Sequence, residues 1–351
     1  MTSGGGSAII IACAERGVIL LYYGSGKISY GDGGMRMKLK NINKTDLFVS
    51  PICMGTAMLG STVNERESFD RLDAFFELGG NFLDTAIIYA DWEADAPESA
   101  SEKLIGRWMA SRNISSKIVV ATKGGHWAFR GETSGRVRLG RDELCEQVQR
   151  SLENLQVSAF DIYYLHRDDI SLPVECIMDT LFENIDRGYI KYLGCSNWSV
   201  ERLRLANEYA ASCGREGFII SSDRWSLAKF KPDKDPTIVA FDAERFDYIK
   251  EQGITEAPFQ AIGKGALSRI AAGEIPRGDY DLPENYLLAS RVSEIARARG
   301  TSVGAISIAY LLSLGIEVIP TMTFSREEQI REAFEGAEIK LNEEELAYLT
   351  L

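Results

Sequence analysis

The chain has 351 residues, of which 45% are apolar and 26% are charged. This globular composition excludes a disordered, collagen-like or coiled-coil chain, and the length fits one or two domains. Acidic residues outnumber basic residues by 51 to 39, which gives a formal net charge of −12. Because a negative field repels phosphate backbones and anionic lipid, the charge disfavours binding to nucleic acid or to a membrane surface.

The cysteines and the apolar runs point to a reduced compartment without membrane anchoring. The six cysteines contain no C-x-x-C pair, so neither a zinc site nor a disulfide framework is predicted. A cytoplasmic location is the simplest interpretation. No apolar run reaches the roughly 18 residues of a membrane span, and the apolar stretch 7–14 follows no positive charge and makes a poor signal peptide. The sequence leaves the oligomeric state open.

Residues 1–36 differ from the rest of the chain. Glycine-rich stretches at 4–6, 24–26 and 31–34 flank short apolar runs. Since no strand–helix unit is recognisable there, we expect a poorly ordered N-terminal extension or a decorative hairpin. The remaining residues, 37–351, are predicted to form one folded unit.

From residue 47 onward, short apolar runs alternate with helical patterns. The runs are rich in β-branched and aromatic residues and show little polar alternation, which is typical of strands buried on both faces of a parallel sheet. The predicted strands are Phe48–Met54, Asn81–Asp84, Lys117–Thr122, Phe160–Leu165, Ile190–Cys195, Phe218–Ser221, Ile254–Ala261 and Ile316–Ile319.

Segments with helical periodicity follow these strands. The predicted helices are Glu65–Leu78, Ser101–Ser111, Arg141–Leu155, Val174–Asp186, Val200–Ala211, Phe241–Gln252 and Glu284–Arg299, with an additional helix at Ser302–Ser313. Eight strand–helix units without a change in composition predict an α/β protein of the (β/α)₈ TIM barrel class. A doubly wound sheet is the alternative, but no G-x-G-x-x-G turn follows the first strand. Long segments at 221–240 and 263–283 are predicted to be loops on the C-terminal rim of the barrel.

Reactive side chains occur where three neighbouring strands end. Asp84 ends the second strand, with Tyr89 five residues later, while Lys123 and His166 end the third and fourth. Each residue alone has a structural explanation, such as a turn cap or a solvated lysine. Their joint placement on one rim favours a catalytic site, because active sites of barrels gather at that end.

This grouping suggests a way to protonate an oxygen atom. A tyrosine hydroxyl is a poor acid at neutral pH, but a neighbouring lysine ammonium stabilises the phenolate and lowers the pKa. Asp84 would hold Lys123, and His166 would orient a carbonyl oxygen, so the group is suited to protonating that oxygen as the carbon gains hydride. Trp92, His126 and Trp127 are expected to line the substrate pocket. Sugars, aromatic aldehydes and small ketones all fit such a pocket.

The chain resembles the aldo-keto reductase family in both the order and the spacing of several motifs. The matching segments are Gly80–Ala86 with the following Tyr89, Ala121–Gly124, Asp161–Arg167 and Gly194–Trp198. The resemblance implies a (β/α)₈ fold, a nicotinamide cofactor bound without a Rossmann domain, and a small carbonyl substrate. It also implies a catalytic tetrad, in which Tyr89 is the general acid and Lys123 tunes it; the other members are Asp84 and His166.

The same resemblance implies a cofactor site along the rim. Ser196 and Asn197 match the pair that binds the nicotinamide carboxamide, whereas Ser222 and Trp225 stand where the family usually has glutamine and a stacking tyrosine. The loop with Gly263, Lys264 and Gly265 is expected to cover the pyrophosphate. Gly55 and Thr56, after the first strand, complete this part of the expected cofactor contacts.

A further group of polar residues follows the eighth strand. The hydroxyls of Thr321 and Thr323, together with Arg326 and Gln329 at a predicted helix start, are suited to an adenosine 2′-phosphate. The chain departs here from the usual family pattern, and the alternative is an ordinary helix cap with a solvated arginine. We therefore expect NADP (NADPH) as the cofactor, with NAD less favoured.

The predicted activity is that of an NADP-dependent oxidoreductase that reduces an aldehyde or ketone, such as a sugar-type substrate, to an alcohol. One alternative is a Schiff-base aldolase with Lys123 as the nucleophile, which borohydride trapping would reveal. Another is a non-catalytic nicotinamide-binding regulatory subunit. Turnover of small aldehydes with NADPH would argue against that alternative.

Overall fold

The computed structural model describes residues 38–127, 130 and 135–350. It also describes the backbone of two short strands, Ile9–Ala12 and Ile19–Tyr22, which pair antiparallel. The other residues of the 1–36 extension lie outside the described residues, and the expectation of a separate extension stays a prediction.

Eight parallel strands form a closed barrel. They are β1 (Cys53–Gly55), β2 (Phe82–Asp84), β3 (Val119–Gly124), β4 (Phe160–Leu165), β5 (Ile190–Ser196), β6 (Phe218–Ser222), β7 (Thr255–Glu256) and β8 (Thr321–Met322). Each strand from β1 to β6 pairs with the next in chain order, and β8 returns to pair with β1. An isolated bridge between Glu256 and Val318 joins β7 to the segment that leads into β8 and closes the barrel. The (β/α)₈ barrel is thereby confirmed, and the open, doubly wound sheet is excluded.

Helices surround the barrel. They are α1 (Glu65–Glu77), α2 (Ala100–Arg112), α3 (Arg141–Leu155), α4 (Val174–Asp186), α5 (Val200–Ser212), α6 (Ala243–Gln252), α7 (Ala266–Ala271), α8 (Pro283–Arg299), α9 (Val303–Leu312), α10 (Glu327–Glu338) and α11 (Glu343–Leu349). The seven predicted helices and the additional helix all correspond to helices of the structure. The prediction of a loop over 263–283 is wrong in part, since α7 lies within it.

The predicted first strand, Phe48–Met54, is interrupted. Phe48–Val49 pairs antiparallel with Lys40–Asn41, and only then does β1 begin. This pair closes the N-terminal end of the barrel, since Lys40 Nζ donates to the Val318 carbonyl at 2.9 Å. Both halves of the segment contribute buried residues, such as Val49 and Ile52, so they were predicted as one strand although Ser50 and Pro51 lie at the break.

The last two predicted strands also differ from the structure. The eighth lies at Thr321–Met322 rather than Ile316–Ile319, and β7 is confined to Thr255–Glu256 within the predicted Ile254–Ala261. Val318 and Ile319 are both buried, and Ile319 packs in the barrel interior, but the ladder with β1 forms only beyond Pro320. The apolar run Ile316–Ile319 therefore lies just before β8 and is not part of that strand.

Apolar side chains fill the barrel and leave the polar groups at one end. The interior cluster includes Phe82, Ile162 and Tyr164. It continues at the N-terminal end of the barrel into Ile42 and Val49, from the hairpin formed by the antiparallel pair that closes this end. Since the interior is packed, chemistry is restricted to the C-terminal ends of the strands. Among the described residues, no helix could cross a membrane and no His, Cys, Asp or Glu cluster could hold a metal ion.

Candidate active site

The four residues predicted to be catalytic lie together at the C-terminal end of the barrel. Asp84 is the last residue of β2, Lys123 lies near the end of β3, and His166 directly follows β4. Parallel pairing of these three strands brings the side chains to one edge. Tyr89 reaches the same point through the turn after β2, where its N–H donates to the Ala86 carbonyl at 3.0 Å.

The ammonium group of Lys123 links these residues. Its Nζ lies 2.5 Å from Asp84 Oδ1, 2.8 Å from the Thr85 carbonyl oxygen and 3.1 Å from Tyr89 Oη. An ammonium has three protons to donate, so these three acceptors use all of them. The hydroxyl of Tyr89 also lies 3.4 Å from Asp84 Oδ1. The phenol is therefore positioned by an ion pair whose side chains are both buried.

Charges within this group keep Lys123 protonated. Burial disfavours its ammonium, but Asp84 and Tyr89 outweigh that effect and raise the pKa of Lys123. Burial raises the pKa of Asp84, and Lys123 counteracts this increase. A protonated lysine with three acceptors is a donor and not a nucleophile, which is unfavourable for Schiff-base chemistry.

The pKa of Tyr89 differs from the expectation. Burial raises this pKa, Lys123 lowers it and Asp84 raises it again, with a net increase over the ordinary value. The expected lowering by lysine is thus present but is outweighed by removal of the hydroxyl from water. Tyr89 is consequently a neutral phenol at neutral pH and has a proton to give.

Two uncharged histidines lie beside Tyr89. The His166 ring is 5.8 Å from the Tyr89 ring and 4.7 Å from the His126 ring, edge to face in both cases. Burial, together with the charge of Arg167, holds the pKa of His166 well below its usual range. Its Nδ1 is buried and has no hydrogen-bond partner among the described residues. A neutral imidazole has one N–H donor, which is suited to orienting a carbonyl oxygen.

Aromatic rings border the tetrad on the solvent side. Trp92 is 51% exposed and its ring lies 6.1 Å from that of Tyr89, edge to face. Trp127 is half-buried and stacks on His126 at 5.3 Å. The structure therefore brings all three predicted substrate residues to the mouth beside the phenol.

The residues predicted to hold the nicotinamide converge at the ends of β5 and β6. Ser196 Oγ donates to the Ser222 carbonyl at 2.6 Å and accepts from Asn197 Nδ2 at 2.9 Å. Asn197 Nδ2 also lies 3.3 Å from the His166 carbonyl oxygen. Asn197 Oδ1 accepts from the Val239 N–H at 3.1 Å, which leaves one further lone pair for a ligand.

The ring of Trp225 lies next to this group and has one face covered. Phe241 stacks on it with centroids 4.0 Å apart and an interplanar angle of 12°. The opposite face of Trp225 is the one that a nicotinamide ring could use.

Backbone conformation sets the shape of the predicted pyrophosphate loop. Gly263, Lys264 and Gly265 all have positive φ angles and form a 3₁₀ turn before α7. A side chain at position 263 would approach the Tyr280 ring to 2.8 Å, so glycine is required there. Lys264 is exposed on this turn, where its charge can meet a phosphate.

The remaining predicted cofactor residues border β1 and β8. Thr321 Oγ1 is buried without a partner among the described residues, and a Cβ on Gly55 would lie 3.2 Å from the Thr321 methyl group. An orphaned hydroxyl beside a glycine fits a polar ligand at the barrel mouth. The hydroxyl of Thr56, by contrast, is buried and donates to the Asp84 carbonyl at 2.9 Å. Thr323 is exposed, with Oγ1 3.4 Å from the Gly55 carbonyl oxygen.

Arg326 and Gln329 lie at the start of α10 but have different roles there. Arg326 is the exposed residue preceding the helix. The side-chain oxygen of Gln329 accepts from the backbone N–H groups of Ser325, at 2.8 Å, and Arg326, at 3.2 Å. Gln329 thus caps the helix, and Arg326 is the residue of the two whose side chain projects from it.

Arg167, for which the sequence predicted no role, holds a loop of the barrel rim in place. Its guanidinium donates to the His166 carbonyl at 2.8 Å and to Thr237 Oγ1 at 2.8 Å, and it pairs with Asp235 at 3.3 Å. The loop between β6 and α6 is thereby held beside the tetrad. A charged residue directly after His166 was the available signal, but its partners are about 70 residues away in the chain.

Comparison with known proteins decides the family. A family model described as the aldo/keto reductase family matches residues 51–350. The chain belongs to this family. This aldo/keto reductase is therefore an oxidoreductase of a class that acts on small carbonyl compounds with a nicotinamide cofactor.

Curated relatives of this aldo/keto reductase include several fungal enzymes. A putative aryl-alcohol dehydrogenase of Saccharomyces cerevisiae is 32% identical, over 89% of this chain and 85% of the relative. An aryl-alcohol dehydrogenase [NADP(+)] of Phanerodontia chrysosporium is 27% identical, over 86% and 82%. A norsolorinic acid reductase of Emericella nidulans is 28% identical, over 85% and 76%.

A solved structure shows the same fold. It is a thermostable aldo-keto reductase in complex with the inhibitor epalrestat, with a TM-score of 0.69. The match covers 89% of this chain and 98% of the other, at 21% identity.

Proposed function

We propose that this protein reduces aromatic aldehydes to alcohols with NADPH, using Tyr89 as the general acid. The observation that carries the proposal is the placement of a neutral tyrosine hydroxyl 3.1 Å from the ammonium of a buried Lys123–Asp84 pair. When bound, the nicotinamide cofactor supplies the hydride that the carbonyl carbon gains.

Each of the four tetrad residues then has its own role in the protonation of the carbonyl oxygen. The N–H of a neutral His166 orients the carbonyl oxygen toward Tyr89, which donates its proton as negative charge develops on that oxygen. Lys123 stabilises the phenolate that is left, and Asp84 keeps the ammonium in place. Burial of this group strengthens each of these interactions by excluding water.

The cofactor is proposed to lie along the C-terminal rim of the barrel. Ser196, Asn197 and Trp225 would hold the nicotinamide end, and the loop at 263–265 the pyrophosphate. The choice of NADPH rests on Arg326, whose exposed guanidinium at the start of α10 is suited to a 2′-phosphate. A relative whose name specifies NADP(+) agrees with this choice.

The substrate class rests on the aromatic mouth. Trp92 and Trp127 present ring surfaces on the two sides of the phenol and histidine groups, and an aromatic aldehyde can pack against such rings. The names of the aryl-alcohol dehydrogenase relatives agree with this class.

A comparison of substrates tests the proposal. We would measure kcat/KM for a benzaldehyde, an aliphatic aldehyde of similar size and a keto-sugar, each with NADPH and with NADH. The benzaldehyde with NADPH should give the highest value. A preference for the keto-sugar would refute the substrate class, whereas equal use of both cofactors would refute the cofactor choice alone.

A further inference from the structure

A buried ion pair lies behind the residues at the end of β5. We propose that Asp223 and Arg245 are positioning residues that hold Asn197 in the conformation needed at the nicotinamide end of the cofactor site. The inference rests on the proposed function, because Asn197 is assigned there to the nicotinamide.

Asp223 holds one side of the turn that contains Asn197. Its side chain is fully buried directly after β6. Oδ1 accepts the backbone N–H of Asn197 at 3.1 Å, and Oδ2 accepts the hydroxyl of Ser221 at 2.5 Å. A carboxylate that accepts a backbone N–H forms a charge-assisted bond, which is stronger than a neutral one.

Arg245, from α6, holds the other side of the same turn. It is 1% exposed, and its Nη1 lies 2.8 Å from Asp223 Oδ2. Its Nη2 donates to the carbonyl oxygen of Trp198. One ion pair therefore binds the N–H of Asn197 and the carbonyl of the next residue, which fixes the peptide between them.

The backbone conformation of Asn197 directs its side chain. Its φ angle is +60°, in the left-handed region that asparagine adopts more readily than most non-glycine residues. In this conformation the side-chain amide contacts Ser196, His166 and Val239 together, which joins three segments of the rim. A shift of the turn would move the amide away from all three.

The buried charges balance within this group. The N–H of Asp223 donates to Glu256 Oε1 at 3.0 Å, so a second carboxyl lies close to the pair. Burial raises the pKa of both carboxyl groups, and that of Glu256 well above its usual range, so Glu256 is the one that favours the neutral form. Asp223 and Arg245 then neutralise one another and form a stable clamp.

The test compares the affinity for the whole cofactor with the affinity for its adenosine end alone. In the double variant Asp223→Leu/Arg245→Met both charges are removed together, which avoids an uncompensated buried charge. The Kd for NADPH should rise at least tenfold, about 1.4 kcal/mol. The Kd for adenosine 2′,5′-bisphosphate, which lacks the nicotinamide, should change less than about twofold on the same scale.

A control variant separates positioning from general loss of stability. Glu102→Leu disrupts another buried polar group, on α2, whose partners are Thr122 and Asn154. It should lower the melting temperature without changing the ratio of the two Kd values. If the double variant does not fold, Arg245→Lys provides the same test, because lysine lacks the planar fork whose Nη1 contacts Asp223 and whose Nη2 contacts the Trp198 carbonyl.

The outcomes distinguish this inference from the proposed function. An equal rise in both Kd values in the double variant, or an unchanged Kd for NADPH, would overturn the positioning role. If the wild-type protein binds NADH but not NADPH, the same ratio is measured with NADH and ADP. Failure to bind either dinucleotide would overturn the proposed function itself, and with it the positioning role.

Discussion

At the scale of single residues, the site depends on how Lys123 is surrounded. Its three acceptors fix the ammonium beside the phenol, and Asp84 keeps it charged although it is buried. The same burial raises the pKa of Tyr89, with Lys123 reducing that increase. Lysine therefore limits the cost of forming phenolate in a dry site, without making the resting phenol acidic.

The first prediction concerns the proton donor. Tyr89→Phe keeps the ring and its packing but removes the hydroxyl. Turnover should fall by on the order of 10²–10⁴, the usual contribution of a general acid, while NADPH affinity and melting temperature stay close to wild type. Steady-state kinetics and cofactor titration check this. Near-normal turnover of an aldehyde would refute the role of Tyr89.

The second prediction links Lys123 to the same hydroxyl. Lys123→Met should reduce turnover because it removes the charge that lowers the pKa of Tyr89. Residues that act as one unit are non-additive, so the Tyr89→Phe/Lys123→Met variant should be hardly slower than either single variant. Comparison of kcat for the three variants tests this. Activity that needs Lys123 but not Tyr89 would indicate Schiff-base chemistry instead.

The third prediction concerns the choice of cofactor. Arg326→Ala should raise the Kd for NADPH at least tenfold, about 1.4 kcal/mol, and leave the Kd for NADH nearly unchanged. The reason is that only NADPH carries the 2′-phosphate. Arg331→Ala, on the same helix, is a suitable control because Arg331 pairs with Glu327. Equal losses for both cofactors would contradict the assignment.

The fourth prediction is a pH dependence of stability. Burial and the charge of Arg167 lower the pKa of His126 from 6.5 to about 3. The unfolded chain therefore binds a proton that the folded protein does not, and stability is lost as the pH falls below 6.5. Between pH 7 and pH 5 this loss is about 2 kcal/mol. His126→Asn should remove that part, as measured by urea unfolding; an unchanged pH dependence would be inconsistent with a neutral His126.

At the scale of elements, buried polar side chains on the helices bind particular partners on neighbouring elements, as the catalytic residues do. Glu102 of α2 is fully buried against β3, where its carboxylate accepts from Thr122 at 2.5 Å and from Asn154 of α3 at 2.8 Å. It ties two helices to the strand that carries Lys123. Hydrogen bonding compensates in part for the burial of its charge.

The fifth prediction follows from that burial. Burial raises the pKa of Glu102, with Thr122 and Asn154 opposing the increase. The folded protein then binds this proton more tightly than the unfolded chain, so the stability that protonation provides is lost as pH rises through the folded pKa. Glu102→Gln should therefore gain stability relative to wild type between pH 4 and pH 8, as measured by urea unfolding. A difference that does not vary with pH would contradict this.

At the scale of the whole molecule, the closed barrel predicts that residues 1–36 are dispensable to the site. The antiparallel pair Lys40–Asn41 and Phe48–Val49 already covers the end opposite the tetrad. Deletion of residues 1–36 should leave the melting temperature and turnover close to wild type. A large loss of melting temperature would show that the segment packs on the barrel.

The sequence alone was enough to predict the class of fold and to locate the four proposed tetrad residues at or just after strand ends. Buried strands carry continuous apolar runs, and functional residues of a barrel follow strand ends, so both features are local and readable. The same reasoning placed α1 through α6 and both α8 and α9 within a few residues. It failed where an apolar run serves two elements, as at Phe48–Met54, and where a strand is only two residues long, as at β8.

The electrostatics of the site and the contacts that support it depend on the tertiary structure. The net rise in the pKa of Tyr89, the neutral state of both histidines and the clamp on Asn197 depend on groups distant in the chain. Asp223 and Arg245 are 22 residues apart from each other and lie well beyond Asn197 in sequence, and neither has a motif. Burial and charge act through space, so their balance is fixed only when the barrel closes and brings β5, β6 and α6 together.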